Sequence, residues 1–186
     1  MGWDTTRFAG GHEAAGMLVY DATGMLLFIR NLIFTLIVPA TVAVYLPLYF
    51  LRNQAVGPTG AVVTGSVLIL VGAVIYLLCQ WSFAIFGQGT PAPIDAPKKF
   101  VSRGLYRYVR NPMYLGVLTM IIGWATVFRA TALLWYAFGV ALAFHLFVLI
   151  YEEPHLRRVF GREYEEYCAR INRWLPRLDR PPPPAT

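Results

Sequence analysis

Charge is what this sequence has least of. Asp, Glu, Lys and Arg make up 14% of its 186 residues, against about 25% in an ordinary globular domain, and apolar residues reach 57%. Mean hydropathy is +0.51. The shortage is also uneven. None of the four charged types occurs from Asn31 to Leu51, from Asn53 to Ile94, from Asn111 to Phe128 or from Ala130 to Tyr151. Soluble helices apolar on every side would need a far larger protein around them. A spanning helix needs about 20 apolar residues. The runs therefore predict an all-α integral-membrane bundle of about four transmembrane helices, at Asn31–Leu51, Thr59–Phe86, Pro112–Phe128 and Ala132–Tyr151. The third is short and is expected to tilt, kink or stop part-way.

Other shortages narrow the field further. The two cysteines fall far apart, Cys79 in the second span and Cys168 in the polar C-terminal segment, so no disulfide framework or CxxC site is expected. Three histidines, with no HxxxH spacing, point to no metal. The first residues lack a basic stretch leading into a compact apolar one, so no secretory signal peptide is expected. No internal repeat is visible. Residues 1–180 read as one domain, with its chemistry in about 87–176. Residues 181–186, with four consecutive prolines, read as a disordered tail.

The charge that is present lies on one side of the spans. Only Arg52 falls in the first loop and Arg129 in the third. Lys98, Lys99, Arg103, Arg107 and Arg110 crowd the second loop, and seven arginines from Arg157 to Arg180 follow the last span. The positive-inside rule then predicts both termini and the second loop on the cytoplasmic side. Basic residues that flank spans suit an anionic lipid surface better than nucleic acid, so no nucleic-acid partner is expected.

Punctuation residues suggest local structure. Residues 10–29, broken by Gly16 and Gly24, suit an interfacial lead-in. Pro39 and Pro47 should bend the first span, at a cost that neighbouring helices can offset. Gly65 and Gly72 suit close helix packing. The run Gly87-Gln88-Gly89-Thr90-Pro91-Ala92-Pro93 should be a loop. From Pro154 to Trp174, Leu156, Val159, Phe160, Tyr164, Tyr167 and Ile171 recur at helical spacing among Arg and Glu. They predict a C-terminal amphipathic helix, with Gly161 as a possible interruption.

Two clusters carry chemistry. Arg110-Asn111-Pro112-Met113-Tyr114-Leu115-Gly116 reads as a helix start, with Asn111 as N-cap and Pro112 in the first turn. Such a start offers free N–H groups to an anion. Arg110 can add a two-pronged pair to a carboxylate, or else meet a lipid phosphate. Tyr114 lies within the first turn. At the far end of the next hairpin stand Glu152 and Glu153, where the helix dipole disfavours carboxylates and a cation should compensate. Neighbouring helical positions differ by about 100°, so one Glu should meet a ligand and the other an arginine. His145, seven residues before Glu152, is a buried-ionisable candidate on the same expected face. Together the clusters suit a small molecule that is both zwitterionic and cationic, and S-adenosylmethionine fits.

These residues also carry a resemblance. Gly104-Leu105-Tyr106, the Arg110–Gly116 run, Tyr151-Glu152-Glu153-Pro154 and Phe160-Gly161-x-x-Tyr164-x-x-Tyr167 resemble, in that order, the isoprenylcysteine carboxyl methyltransferase family. The wider group includes phospholipid N-methyltransferases. The family commonly has His where this chain has Asn111. The resemblance covers roughly residues 87–176. It implies an S-adenosylmethionine-dependent membrane methyltransferase with a lipophilic acceptor arriving from the bilayer. It implies Tyr106, Arg110, Asn111, Pro112, Tyr114, Glu152 and Glu153 as cofactor-site residues, with Arg110, Glu152 and Tyr114 nearest the chemistry. A phospholipid amine is the alternative acceptor. Sterol-reductase-like oxidoreductases and a non-catalytic membrane adaptor are the readings from other classes.

Overall fold

The computed structural model describes residues 37–83 and 101–176, together with Ile29, Ile33, Thr35 and Ile85. Most of the interfacial lead-in, the glycine–proline loop, Lys98, Lys99, Arg177, Arg180 and the tail lie outside the described residues. Every regular element among those described is helical. Helix α1 covers Thr41–Leu51, α2 Thr59–Ser82, α3 Pro112–Phe128, α4 Thr131–Phe147 and α5 Glu153–Arg170. A single tight turn, Gly104–Arg107, precedes α3, and a wide π-turn, Val148–Glu152, runs α4 directly into α5.

Proline explains both wide turns. The first five residues of α1, Thr41–Tyr45, form a π-turn in which the Leu46 N–H reaches back to the Thr41 carbonyl. Pro47 follows and has no N–H for the carbonyls of Val42 or Ala43, five and four residues back. Neighbouring helices supply the missing donors. The Tyr136 hydroxyl of α4 donates to the Val42 carbonyl at 2.9 Å, and the Trp124 indole of α3 to the Ala43 carbonyl at 3.0 Å. The bend expected in the first span is thus present, and its cost is met by α3 and α4. The same pattern recurs at Val148–Glu152, where the Glu153 N–H reaches the Val148 carbonyl and Pro154 follows.

Helices α2 and α3 approach most closely. A side-chain carbon added to Gly72 would stand 2.5 Å from the Gly116 carbonyl oxygen, and one on Gly65 2.6 Å from that of Gly123. The small-residue packing expected of Gly65 and Gly72 is therefore real, and its partners are glycines in α3. The Gly57 N–H donates to the Val127 carbonyl and sets the two helices antiparallel. Arg129, at φ 50°, then turns the chain sharply into α4. The core between α1, α2, α3 and α4 contains Tyr76, Cys79, Val117 and Ile121.

The outer faces of α2 and α4 are apolar too. Leu70, Leu77 and Trp81 on α2, and Trp135 and Phe138 on α4, are each more than 60% exposed. Large apolar side chains displayed along whole helices suit lipid, not water. Two helices are long and apolar enough to cross a bilayer, Thr59–Ser82 and the continuous Thr131–Arg170, while Thr41–Leu51 and Pro112–Phe128 are apolar but shorter. In α5, Gly161 adopts φ 50° and kinks the helix where an interruption was expected. Tyr164 and Ile171 from the apolar series are buried there, whereas Val159 is exposed.

Candidate functional site

The start of α3 and the end of α4 meet because the two helices form one antiparallel hairpin, as the spacing of the clusters anticipates. The Tyr114 hydroxyl donates to Glu152 Oε2 at 2.8 Å, and Arg110 Nη1 lies 3.2 Å from Glu153 Oε1. Arg110, Asn111, Tyr114 and Glu152 share one cleft with Tyr106. The remaining wall is apolar and includes Pro39, Val42 and Tyr76 from the first two helices and Phe144 from α4.

The adjacent glutamates have opposite surroundings. Glu153 is 4% exposed and faces arginines. Arg173 grips it with two prongs, Nε to Oε1 at 2.6 Å and Nη2 to Oε2 at 3.0 Å, and Arg157 stands 3.8 Å away. Burial alone would raise its carboxyl, but the Arg173 hydrogen bonds and the charges of Arg110, Arg173 and Arg157 hold it below the usual range. Glu152, at the end of the wide turn after α4, faces the cleft. Burial pushes its carboxyl up, the Tyr114 hydrogen bond opposes that in part, and the Glu153 charge adds to the rise. Among the described residues, Glu152 has no ion-pair partner. Glu153 thus pairs with arginines, while Glu152 faces the cleft.

The helix start departs from expectation in one respect. Asn111 occupies the N-cap position of α3, but its side chain makes no cap hydrogen bond. Its amide instead donates to the Arg173 carbonyl at 3.2 Å, which pins the C-terminal segment across the helix end. The Arg110 N–H donates to the Asn172 carbonyl and tightens the same strap. Pro112 is buried in the first turn, as expected. Arg110 also donates through Nη1 to Cys168 Sγ at 2.7 Å, while its buried Nε has no partner. A buried donor left unmade is costly, and this one belongs to a cleft-lining side chain. Tyr106 is buried in the cleft wall, and its carbonyl accepts from the Tyr167 hydroxyl at 2.7 Å.

His145 takes another course. Its Nδ1 accepts from the Trp174 indole at 3.1 Å, and Trp174 leans over Tyr114 at 6.4 Å between ring centres. His145 is absent from the cleft lining that contains Glu152. The π-turn between the two positions inserts an extra residue into the turn and rotates Glu152 off the face that ordinary helical spacing assigns it. Sequence reasoning also missed Arg173 and Cys168. The only available signal was the need for a cation opposite the glutamates, which seven arginines of the C-terminal segment satisfied equally well. Among the described residues, no group of His, Cys, Asp and Glu is placed to hold a metal.

Comparison with known proteins finds methyltransferases. The family model described as phospholipid methyltransferase matches residues 61–163. A probable protein-S-isoprenylcysteine O-methyltransferase of Oryza sativa subsp. japonica is 32% identical over 117 residues, which cover 62% of this chain and 61% of the rice protein. Protein-S-isoprenylcysteine O-methyltransferase B of Arabidopsis thaliana is 34% identical over 79 residues, covering 42% of this chain and 40% of the plant protein. Methanethiol S-methyltransferase 1 of Bradyrhizobium diazoefficiens is 35% identical over 82 residues, covering 43% of this chain and 27% of that protein. The chain thus spans less than two thirds of the rice relative's length. The family match takes in both α2–α3 packing and the two charged clusters. The chain belongs to the phospholipid methyltransferase family, within the group that contains the isoprenylcysteine carboxyl methyltransferases.

Proposed function

We propose that the chain is an integral-membrane methyltransferase that takes its methyl group from S-adenosylmethionine and places it on a lipophilic acceptor. The observation that carries this reading is Glu152. It is a carboxylate facing the cleft, without an ion-pair partner among the described residues, 2.8 Å from the Tyr114 hydroxyl. Beside it are Arg110, with a buried unpartnered Nε, and the uncapped start of α3. A ligand with an ammonium at one point and a carboxylate at another answers both needs. The bound cofactor would supply a methyl group already activated by a sulfonium.

The residues then have distinct work. Glu152 holds the cationic side of the ligand, and Arg110 with the N–H groups after Pro112 holds its carboxylate. Asn111 fixes the strap, Tyr106 and Tyr114 shape the wall, and Glu153 pairs with Arg173. Positioning supplies most of the rate in such an in-line transfer. A carboxylate acceptor needs no base, whereas an amine or thiol must lose a proton. For those acceptors Glu152, with Tyr114 hydrogen-bonded to it, is the group in the cleft able to accept it.

The acceptor we favour is an isoprenylcysteine carboxylate, supported by the names of the rice and Arabidopsis relatives and by the apolar wall from α1 and α4. A phospholipid amine is the second reading, supported by the family description. The acceptor enters from the bilayer. We also read residues 1–180 as one domain of about four spans, with an amphipathic α5 and the cleft and both termini on the cytoplasmic face. Cysteine labelling that placed positions beside Arg52 and Lys98 on the same side would refute that topology.

Calorimetric titration of the purified protein with S-adenosylhomocysteine tests the function itself. Saturable binding at one site per chain is expected. No binding, or binding of a nicotinamide cofactor in its place, would reject the methyltransferase reading. A methylation screen of lipid extracts and prenylated peptides then separates the acceptors.

A further inference from the structure

Arg173 stands outside every cluster that the sequence marks, yet it takes both oxygens of Glu153 at 2.6 and 3.0 Å. That leaves Arg110 only an end-on approach to Glu153 at 3.2 Å. The same Nη1 also donates to Cys168 Sγ, and the buried Nε has no partner among the described residues. Arg157, the third cation, is too far and too exposed to take over, at 3.8 Å with a side chain 53% exposed. Two arginines therefore compete for one carboxylate, and the planar fork of Arg173 wins it.

We infer that Arg173 is a positioning residue that keeps Arg110 available to the ligand by occupying Glu153 in its place. Without Arg173, the nearest cation to Glu153 is Arg110, already 3.2 Å away, and a buried carboxylate draws it in. Arg110 then turns from the cleft, and its charge is spent inside the protein. The inference rests on the proposed cofactor site, but it makes a demand of its own. The damage from losing Arg173 must come from Glu153, not from a lost contact to the ligand or a loosened strap. The strap's backbone ties, Asn111 Nδ2 to the Arg173 carbonyl and the Arg110 N–H to the Asn172 carbonyl, do not involve the Arg173 side chain.

The test is a double-variant cycle read by calorimetry with S-adenosylhomocysteine in neutral detergent. Arg173→Ala should weaken binding at least about tenfold, the equivalent of one charge-assisted hydrogen bond. Adding Glu153→Gln removes the competing carboxylate with one cation already gone, so the net charge of the site is restored. The double variant should bind within about threefold of the wild type. If Arg173→Ala proves too unstable to purify, Arg173→Gln with and without Glu153→Gln gives the same charge contrast. A double variant as weak as the single one, or a single variant that binds normally, would overturn the inference while leaving the cofactor site standing. A wild type that binds no S-adenosylhomocysteine would overturn both.

Discussion

Glu152→Gln should cost about 1.5–3 kcal/mol of S-adenosylhomocysteine affinity, the worth of a charge-assisted hydrogen bond, and leave thermal unfolding nearly unchanged. Glu153→Gln should do the reverse. The two residues are neighbours in sequence and identical in chemistry, so the contrast isolates environment. At Glu152 the amide oxygen of a glutamine can still accept from the Tyr114 hydroxyl, now 2.8 Å from Oε2. What disappears is the negative charge offered to the cleft. At Glu153 the same change leaves Arg173 and Arg110 without their counterion in a site that is 4% exposed. Breaking a fully buried pair costs about 3–5 kcal/mol. Arg157 and Arg173 are partly in solvent, which screens them, so about 2–3 kcal/mol is expected here. Affinity in the folded Glu153→Gln protein should stay within about threefold of the wild type, because Arg110 has lost a competitor and kept Cys168. Paired titration and thermal-melt measurements on the two variants decide the matter. Equal losses of affinity at both positions would mean that both carboxylates touch the ligand, and no loss at either would make the pair structural.

Much of this site was legible because its signals are local. Pro112 after Asn111 marks a helix start, and charge-free runs mark the hairpin between that start and the glutamates. The dipole argument then demands a cation near Glu152 and Glu153. Helical spacing says that adjacent residues cannot face the same partner, and the structure divides them accordingly. The failures share a different cause. The π-turn at Val148–Glu152 precedes Pro154, but its register shift shows only when the backbone is built, and with it the turn of His145 towards Trp174. Asn111 has the right chemistry for a cap, yet its amide is turned to donate to the Arg173 carbonyl of the C-terminal strap, and its side chain makes no cap bond. Arg173 itself was one arginine among seven. Which of them reaches Glu153 is decided by the kink at Gly161 and the path of the strap, not by any pattern in the sequence. The same holds for Trp124 and Tyr136, whose polar atoms answer the carbonyls that Pro47 leaves without a donor.

Arg110→Lys should lose about tenfold or more in S-adenosylhomocysteine affinity although it preserves the charge. The Arg110 side chain makes two contacts through Nη1, to Cys168 at 2.7 Å and Glu153 at 3.2 Å, and still has Nε to offer. A lysine ammonium is a single point on a flexible stem. Drawn to Glu153, it cannot at the same time present a planar edge to a carboxylate in the cleft. The competing reading, in which Arg110 only meets lipid phosphate, predicts little change, because either cation serves a phosphate headgroup. The surroundings already weigh against it: the Arg110 side chain is 12% exposed and lies beneath the strap that its own N–H holds to Asn172. Neutral detergent removes anionic lipid from the comparison, so affinity measured there reports only on the protein and the ligand. Wild-type affinity in the Arg110→Lys protein would remove Arg110 from the cofactor site and leave the start of α3 as the anion-binding element. A loss confined to experiments with anionic lipid would instead identify Arg110 as a headgroup contact. The tenfold loss in detergent, together with normal melting, is the outcome that the geometry requires.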